Sequence, residues 1–167
     1  MAIKTILTEP NKLLRQVSQP VDQVGKYEQK LMDDMLETMY QGSGIGLAAT
    51  QVNVHKRVIV LDISESKDEP LILINPEIKK IIDPNKKIFS EGCLSVPGFY
   101  EELKRPGSVE ISYLDIDGGR KLLLANDLLA VVIQHEMDHL DGKMMVDFIS
   151  NIKREMIRKK LLKAKGG

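Results

Sequence analysis

From Lys26 to Tyr40, Tyr27, Leu31, Met35 and Met39 recur every fourth residue with Met32 and Leu36 beside them. That spacing lays one apolar stripe along a helix of 3.6 residues per turn, and Gln41-Gly42-Ser43-Gly44 ends it. The middle of the chain switches to strand-like runs at 57–63, 71–75, 77–82, 87–91 and 109–113. Asp83-Pro84-Asn85 and Asp117-Gly118-Gly119 carry turn chemistry, so chain reversals are expected there. A second helix is predicted from Asn126-Asp127, either of which can cap free N–H groups, to Asp141 before Gly142. Leu128, Val131, Val132, His135 and His139 follow helical spacing on it. A third helix is predicted from Asp147 to about Lys163. The pattern implies an α+β fold, with mostly antiparallel sheets packed around the central second helix and a helix near each terminus.

Composition bounds this picture. At 167 residues, 43% hydrophobic and 29% charged, the chain suits one domain over 1–167 with a single core, and global disorder is excluded. Lys plus Arg and Asp plus Glu are both 24, so any nucleic-acid signal must be local. One such signal exists. Between Asn151 and Gly167 stand Lys153, Arg154, Arg158, Lys159, Lys160, Lys163 and Lys165, with Glu155 as the one acid among them. The plain reading is a solvated helix end whose lysines favour the C-terminal dipole. No apolar run approaches the roughly 20 residues of a membrane span, and the first residues lack a signal-peptide core, so a cytoplasmic protein without membrane contact is expected. The single cysteine, Cys93, has no partner for an intramolecular disulfide and reads as a thiolate in a reducing compartment or as a small buried hydrophobe.

Chemistry concentrates in His135-Glu136-Met137-Asp138-His139, an HExxH sequence. Four helical residues turn the chain by about 400°, so the two imidazoles end about 40° apart and can reach one ion. Glu136 flanks that face, within reach of a proton from an activated water. A tetrahedral catalytic site needs a third protein ligand. A zincin-like metallopeptidase finds it downstream, yet no histidine follows His139, and Asp141, Asp147 and Glu155 are poorly placed to return. Upstream, Glu91-Gly92-Cys93-Leu94-Ser95 offers the chain's only thiol, making Cys93 the best third ligand. Glu91 is a candidate to orient a ligand histidine, against the alternative of a surface carboxylate. Asp138 sits a helical step from the metal face and could pair with Arg105. His55 reads as an uninvolved loop residue. Gly44-Ile45-Gly46-Leu47-Ala48-Ala49 also satisfies a dinucleotide fingerprint, but it follows a helix where that fingerprint follows a strand. Its glycines suit a tight connection, and they would let a peptide lie along the backbone as an added strand.

Three segments together, Gly44 to Gln51 (GIGLAATQ), Glu91 to Ser95 (EGCLS) and Gln134 to Gly142 (QHEMDHLDG), resemble the three motifs of bacterial peptide deformylases, in the same order. The resemblance implies a metal-dependent hydrolase that removes the formyl group from N-formylmethionyl nascent peptides and releases formate. It implies Cys93, His135 and His139 as metal ligands, Glu136 as the proton carrier, and the Gln51 amide with the Leu94 N–H as donors to the developing oxyanion. It further implies a methionine pocket from Ile45, Phe89, Leu128, Val131 and Val132, and backbone alignment by Gly44, Ile45, Gly46 and Gly92. Fe2+ is the ion it favours, with Zn2+, Ni2+ or Co2+ able to take the same donors, and it suggests ribosome contact through the basic C-terminal helix. In one place the chain departs from some members: seven residues after Cys93 they carry an arginine facing the substrate, and here stands Tyr100.

Overall fold

The fourfold apolar stripe becomes helix α1 (Lys26–Gln41) in the computed structural model, which describes residues 2–166. Leu31, Met32, Met35 and Met39 are its buried face. Five strands follow in one antiparallel sheet whose spatial order is the chain order: β1 (Gly46–Ala48), β2 (Val58–Leu61), β3 (Leu71–Cys93), β4 (Val96–Leu114) and β5 (Arg120–Asn126). Every residue of β2 is buried, because successive side chains alternate faces and both faces are covered. Val58 and Val60 join α1 residues in one apolar cluster, while Ile59 and Leu61 join Ile133 and Leu140 of α2 (Asp127–Leu140) in another. Helix α2 therefore packs on the opposite side of the sheet from α1, against Leu73, Val109 and Ile111.

Four expectations need correction. Asp83-Pro84-Asn85 makes no chain reversal; β3 runs through it, and the irregularity appears as register shifts between Asp83 and Lys86. A bulge is where a proline without an N–H does least harm to a ladder. Strand β5 was not expected, since Leu122-Leu123-Leu124 shows no alternation; Leu122 and Leu124 are exposed on the outer face. Helix α2 begins where predicted but without a side-chain cap: Asn126 Oδ1 accepts from Ser108 Oγ, and the Asp127 carboxylate pairs with Lys87. The last helix, α3 (Asn151–Gly166), starts four residues late. Asp147 instead closes a short 3-10 turn over Met145–Phe148, accepting from Met144 N at 3.0 Å and from Arg15 Nη1.

The N-terminal segment ties distant parts of the chain together. Leu7 N donates to Gln51 O at 2.7 Å, and Glu9 N to Ser95 O at 2.9 Å. Glu9 is 1% exposed, and its Oε1 accepts from Arg15 Nη2 and from Arg158 Nη2 of α3, both at 3.0 Å. Ile157 and Leu161 seat α3 against Leu14, Met144 and Val146. Among the described residues, no helix is long and apolar enough to cross a membrane.

Candidate active site

Helix α2 and the tight turn between β3 and β4 bring the candidate chemistry together. The turn is short, Leu94 and Ser95 alone separating the strands, so Cys93 is held at the very end of β3. Cys93 Sγ lies 3.4 Å from His139 Nε2, which lies 3.3 Å from His135 Nε2. All three candidate ligand atoms fall within 4.8 Å of one another. Helical spacing of four residues supplies the two imidazoles, as the sequence predicts, and the sheet supplies the sulfur.

The imidazoles are fixed from behind. His135 Nδ1 meets Glu91 Oε1 at 2.9 Å, leaving Nε2 for the centre. Glu91 is in turn clamped by Arg105, through Nε to Oε2 at 2.6 Å and Nη2 to Oε1 at 3.0 Å. Arg105 also reaches Asp138 Oδ2 at 2.8 Å, so one guanidinium joins β3 to α2. Burial disfavours ionised Glu91, yet hydrogen bonds from His135 and Arg105 hold its pKa below the usual carboxylate value. Burial and the neighbouring positive charges of His135, Arg15 and Arg105 keep the His139 pKa well below its ordinary value. His135 goes the other way. Burial opposes its charge, but Glu136, Cys93 and Glu91 raise its pKa well above the ordinary value.

Glu136 is buried beside this cluster, with Oε1 3.9 Å from His139 Nε2 and no hydrogen-bond partner in the protein. Burial pushes its pKa up to about 7. A convergent sulfur and two imidazole nitrogens, next to an unpartnered buried carboxylate oxygen, fit a transition-metal ion with a coordination position left open. Gln51 is 1% exposed in a 3-10 turn after β1; its Oε1 accepts from Ala48 N at 2.9 Å. Its Nε2 donates to Ser95 Oγ at 2.9 Å and lies 3.5 Å from Cys93 Sγ.

A cleft of about 500 Å³ opens over these groups. Gly44, Ile45, Gly46, Gln51, Glu91, Gly92, Cys93, Leu94, Leu128, Val131, Val132, His135 and Glu136 line it. His139 and Asp138 lie behind the wall, the first fully buried. Phe89 does not line the cleft: it pairs with Leu103, two residues back from Glu91, which is about 6–7 Å along the strand. Phe99, Pro97 and Ser43, not expected as wall residues, take part instead, beside Tyr100 at the position where some members carry an arginine. The Gly44-Ile45-Gly46 segment enters an edge strand, β1, with no nucleotide-binding strand before it. His55 lies away from the cleft, its Nε2 2.9 Å from Leu13 O.

Comparison with known proteins agrees with this geometry. The family model described as polypeptide deformylase matches residues 3–155. The chain belongs to the polypeptide deformylase family. Peptide deformylase of Pelagibacter ubique is 56% identical over 167 residues, 99% of this chain and 96% of that protein. That of Teredinibacter turnerae is 56% identical over 163 residues, 98% and 96% of the two chains. Among solved structures, the peptide deformylase of Ehrlichia chaffeensis in complex with actinonin matches with a TM-score of 0.94 at 39% identity, covering 98% of each chain. The Legionella pneumophila enzyme matches with a TM-score of 0.92 at 43% identity, covering 98% of this chain and 96% of that one. The chain is thus a metal-dependent deformylase acting on peptides, and Cys93, His135 and His139 form its candidate metal site. A zincin-like peptidase is set aside: the third donor comes from a strand upstream.

Proposed function

We propose that this cleft removes the formyl group from the N-terminal formylmethionine of nascent polypeptides, releasing formate. The observation that carries it is the convergence of Cys93, His135 and His139 within 4.8 Å beside buried Glu136. These three residues would hold the ion, Fe2+ in the cell, with Zn2+, Ni2+ or Co2+ suited to the same donors. When bound, the ion supplies Lewis acidity, making water nucleophilic near neutral pH and polarising the formyl carbonyl.

Glu136 takes the proton of the attacking water and delivers it to the departing amine nitrogen as the C–N bond breaks. A carboxylate pushed up to about 7 is balanced between accepting and returning a proton at neutral pH. Negative charge grows on the formyl oxygen, where the Gln51 amide and the Leu94 N–H serve as donors. Gln51 is held for this by Ala48 N on its oxygen and by Ser95 on its nitrogen. Glu91 fixes the His135 tautomer, Arg105 fixes Glu91, and Asp138 holds Arg105. Ile45, Leu128, Val131 and Val132 make an apolar wall for the methionine side chain. Gly44, Ile45, Gly46 and Gly92 align the peptide backbone as an added strand.

The same reading places one catalytic domain in the cytoplasm, working in protein biosynthesis on N-terminal processing, with α3 as a ribosome contact. Lys153, Lys159, Lys160 and Lys163 are exposed on that helix beside exposed Ile152, Met156 and Leu162. Formate release from a formyl-Met tripeptide, measured with anaerobically purified protein alongside elemental analysis, tests the central claim. Metal-replete protein that releases no formate defeats it. Salt-sensitive cosedimentation with ribosomes, lost when the exposed lysines become glutamates, tests the docking.

A further inference from the structure

Strand β5 closes one side of the sheet: one of its edges lies against β4, and the other has no partner strand among the described residues. Its ladder with β4 is regular over seven residues, from Asn126 opposite Ser108 to Arg120 opposite Leu114, with no bulge and no proline. The β3–β4 ladder beside it is broken by repeated register shifts. Monomeric proteins blunt a free edge with bulges, prolines, central charges or very short strands, because its N–H and C=O groups template another strand. Across its centre, Leu122-Leu123-Leu124, β5 carries none of these.

Leu122 and Leu124 project from the outer face and are 67% and 56% exposed, while Leu123 between them turns inward against the cluster that holds α2. Their neighbours across the ladder on β4 are polar, Ser112 beside Leu122 and Glu110 beside Leu124. Apolar cover for the two leucines can therefore come only from the side of the free edge.

The strand is complementary to itself when run antiparallel about Leu123. In that register Leu122 stands opposite the partner's Leu124, and Leu124 opposite the partner's Leu122, so four leucines meet on the outer face while Leu123 meets its own copy on the inner one. The ends agree as well. Exposed Arg120 and Lys121 open the strand and exposed Asp127 follows it, so each basic end comes beside the acid at the far end of the other copy. Parallel pairing would set basic against basic.

We infer that the free edge of β5 is an interface between two copies of this chain, which pair antiparallel through Arg120–Asn126 about a twofold axis at Leu123 and continue one sheet into the other. The same patch serves both copies, so the contact closes at a dimer. Strand β1, which borders the cleft through Gly46, is the opposite edge of the sheet, and neither Leu122 nor Leu124 lines the cleft.

Sedimentation equilibrium of the metal-loaded full chain over a range of concentrations is the test. The wild type should show a monomer–dimer equilibrium. Leu122→Glu and Leu124→Glu should each raise the dimer dissociation constant at least about tenfold, since burial of one leucine is worth that much and each substitution occurs twice at a twofold contact. Both variants should keep wild-type formate release and melting temperature; if glutamate disturbs the fold, Leu122→Ser and Leu124→Ser are read in the same way. Register is tested with Leu122→Cys and Leu124→Cys in zinc-loaded protein: a mixture of the two should form disulfide-linked dimers more readily than either alone, because these positions face each other across the axis. A monomer at every concentration overturns the inference. So do a dimer that survives both leucine substitutions, open-ended aggregation in place of a dimer, and cross-linking no greater in the mixture.

Discussion

Gly46 and Glu136 are in such close contact that a Cβ on the glycine would lie 2.5 Å from Glu136 Oε2 and 3.0 Å from Val132 Cγ1. The glycine is therefore a steric condition for the position of the buried carboxylate. Gly46→Ala should displace Glu136 while leaving Cys93, His135 and His139 in place. A shift of about 1 Å can cost about 10²-fold in rate, so kcat should fall on that order with metal stoichiometry retained. Single-turnover formate release beside elemental analysis checks this; full activity in the variant would contradict the contact.

Glu136→Gln keeps the shape of the side chain and removes its proton chemistry. Turnover should drop by about 10²–10⁴, the range for losing a positioned general base. Metal content and melting temperature should hold. Normal turnover in this variant would remove Glu136 from the mechanism.

Arg105 satisfies Glu91 and Asp138 together, so Arg105→Ala strands two carboxylates, one of them deeply buried. Breaking a buried pair from one side costs about 3–5 kcal/mol. Loss of the support behind a ligand histidine also lowers metal affinity about 10–100-fold. Thermal melting and zinc competition with a chelator measure both. Arg105→Lys should recover only part, since an ammonium cannot bridge both carboxylates in the same fork.

Acid should destabilise the fold through three carboxylates away from the metal site. Glu28 is held below its ordinary pKa by hydrogen bonds from Lys56 and Gly25 N, and Asp34 by Lys30 and Ala2 N. Burial pushes Asp62 upward, but Ser64, Tyr40 and Glu69 N donate to it and the net shift is downward. The Tyr40 hydroxyl stays protonated to donate, its own pKa raised to about 12 by burial and Asp62. Each carboxylate binds fewer protons folded than unfolded, so its contribution is complete above the ordinary values of 3.8 for Asp and 4.5 for Glu. It is lost as pH falls through the lower folded pKa. Urea midpoints should decline from pH 5 to pH 3, and less steeply in Asp62→Asn; a flat profile in the wild type would refute the argument.

Gly142 follows α2 with φ +75°, and a Cβ there would meet Arg15 O at 2.3 Å. Backbone cannot yield as a side-chain tip can. Gly142→Ala should therefore cost more than the about 1–2 kcal/mol of left-handed strain alone, read as a lowered denaturation midpoint.

What the sequence disclosed was what is written locally. The four-residue period of α1 and the two imidazoles of α2 depend on neighbours within a turn or two, and both elements stand close to where the pattern places them. Cys93 could be chosen as third ligand because no other thiol exists. Long-range relations were less visible. Nothing in Asp83-Pro84-Asn85 announces that β4 lies alongside and carries β3 through a bulge. Asn126 looks like a cap until Ser108 takes its oxygen. Phe89 is apolar and near Glu91 in sequence, but strand rise carries it out of the cleft, whereas Phe99 and Tyr100 arrive from the returning strand. The Ser95 partner of Gln51 is 44 positions away, a relation no local pattern encodes.

The link between Glu9 and Arg158 joins residues 149 positions apart. As the chain is synthesised, Glu9 emerges 149 positions ahead of Arg158. Until α3 is complete, the buried carboxylate can find only Arg15, and the segment that holds the backbones of Gln51 and Ser95 lacks its final anchor. The cleft is thus assembled from elements between α1 and α2, and its last brace waits for a helix made after all of them.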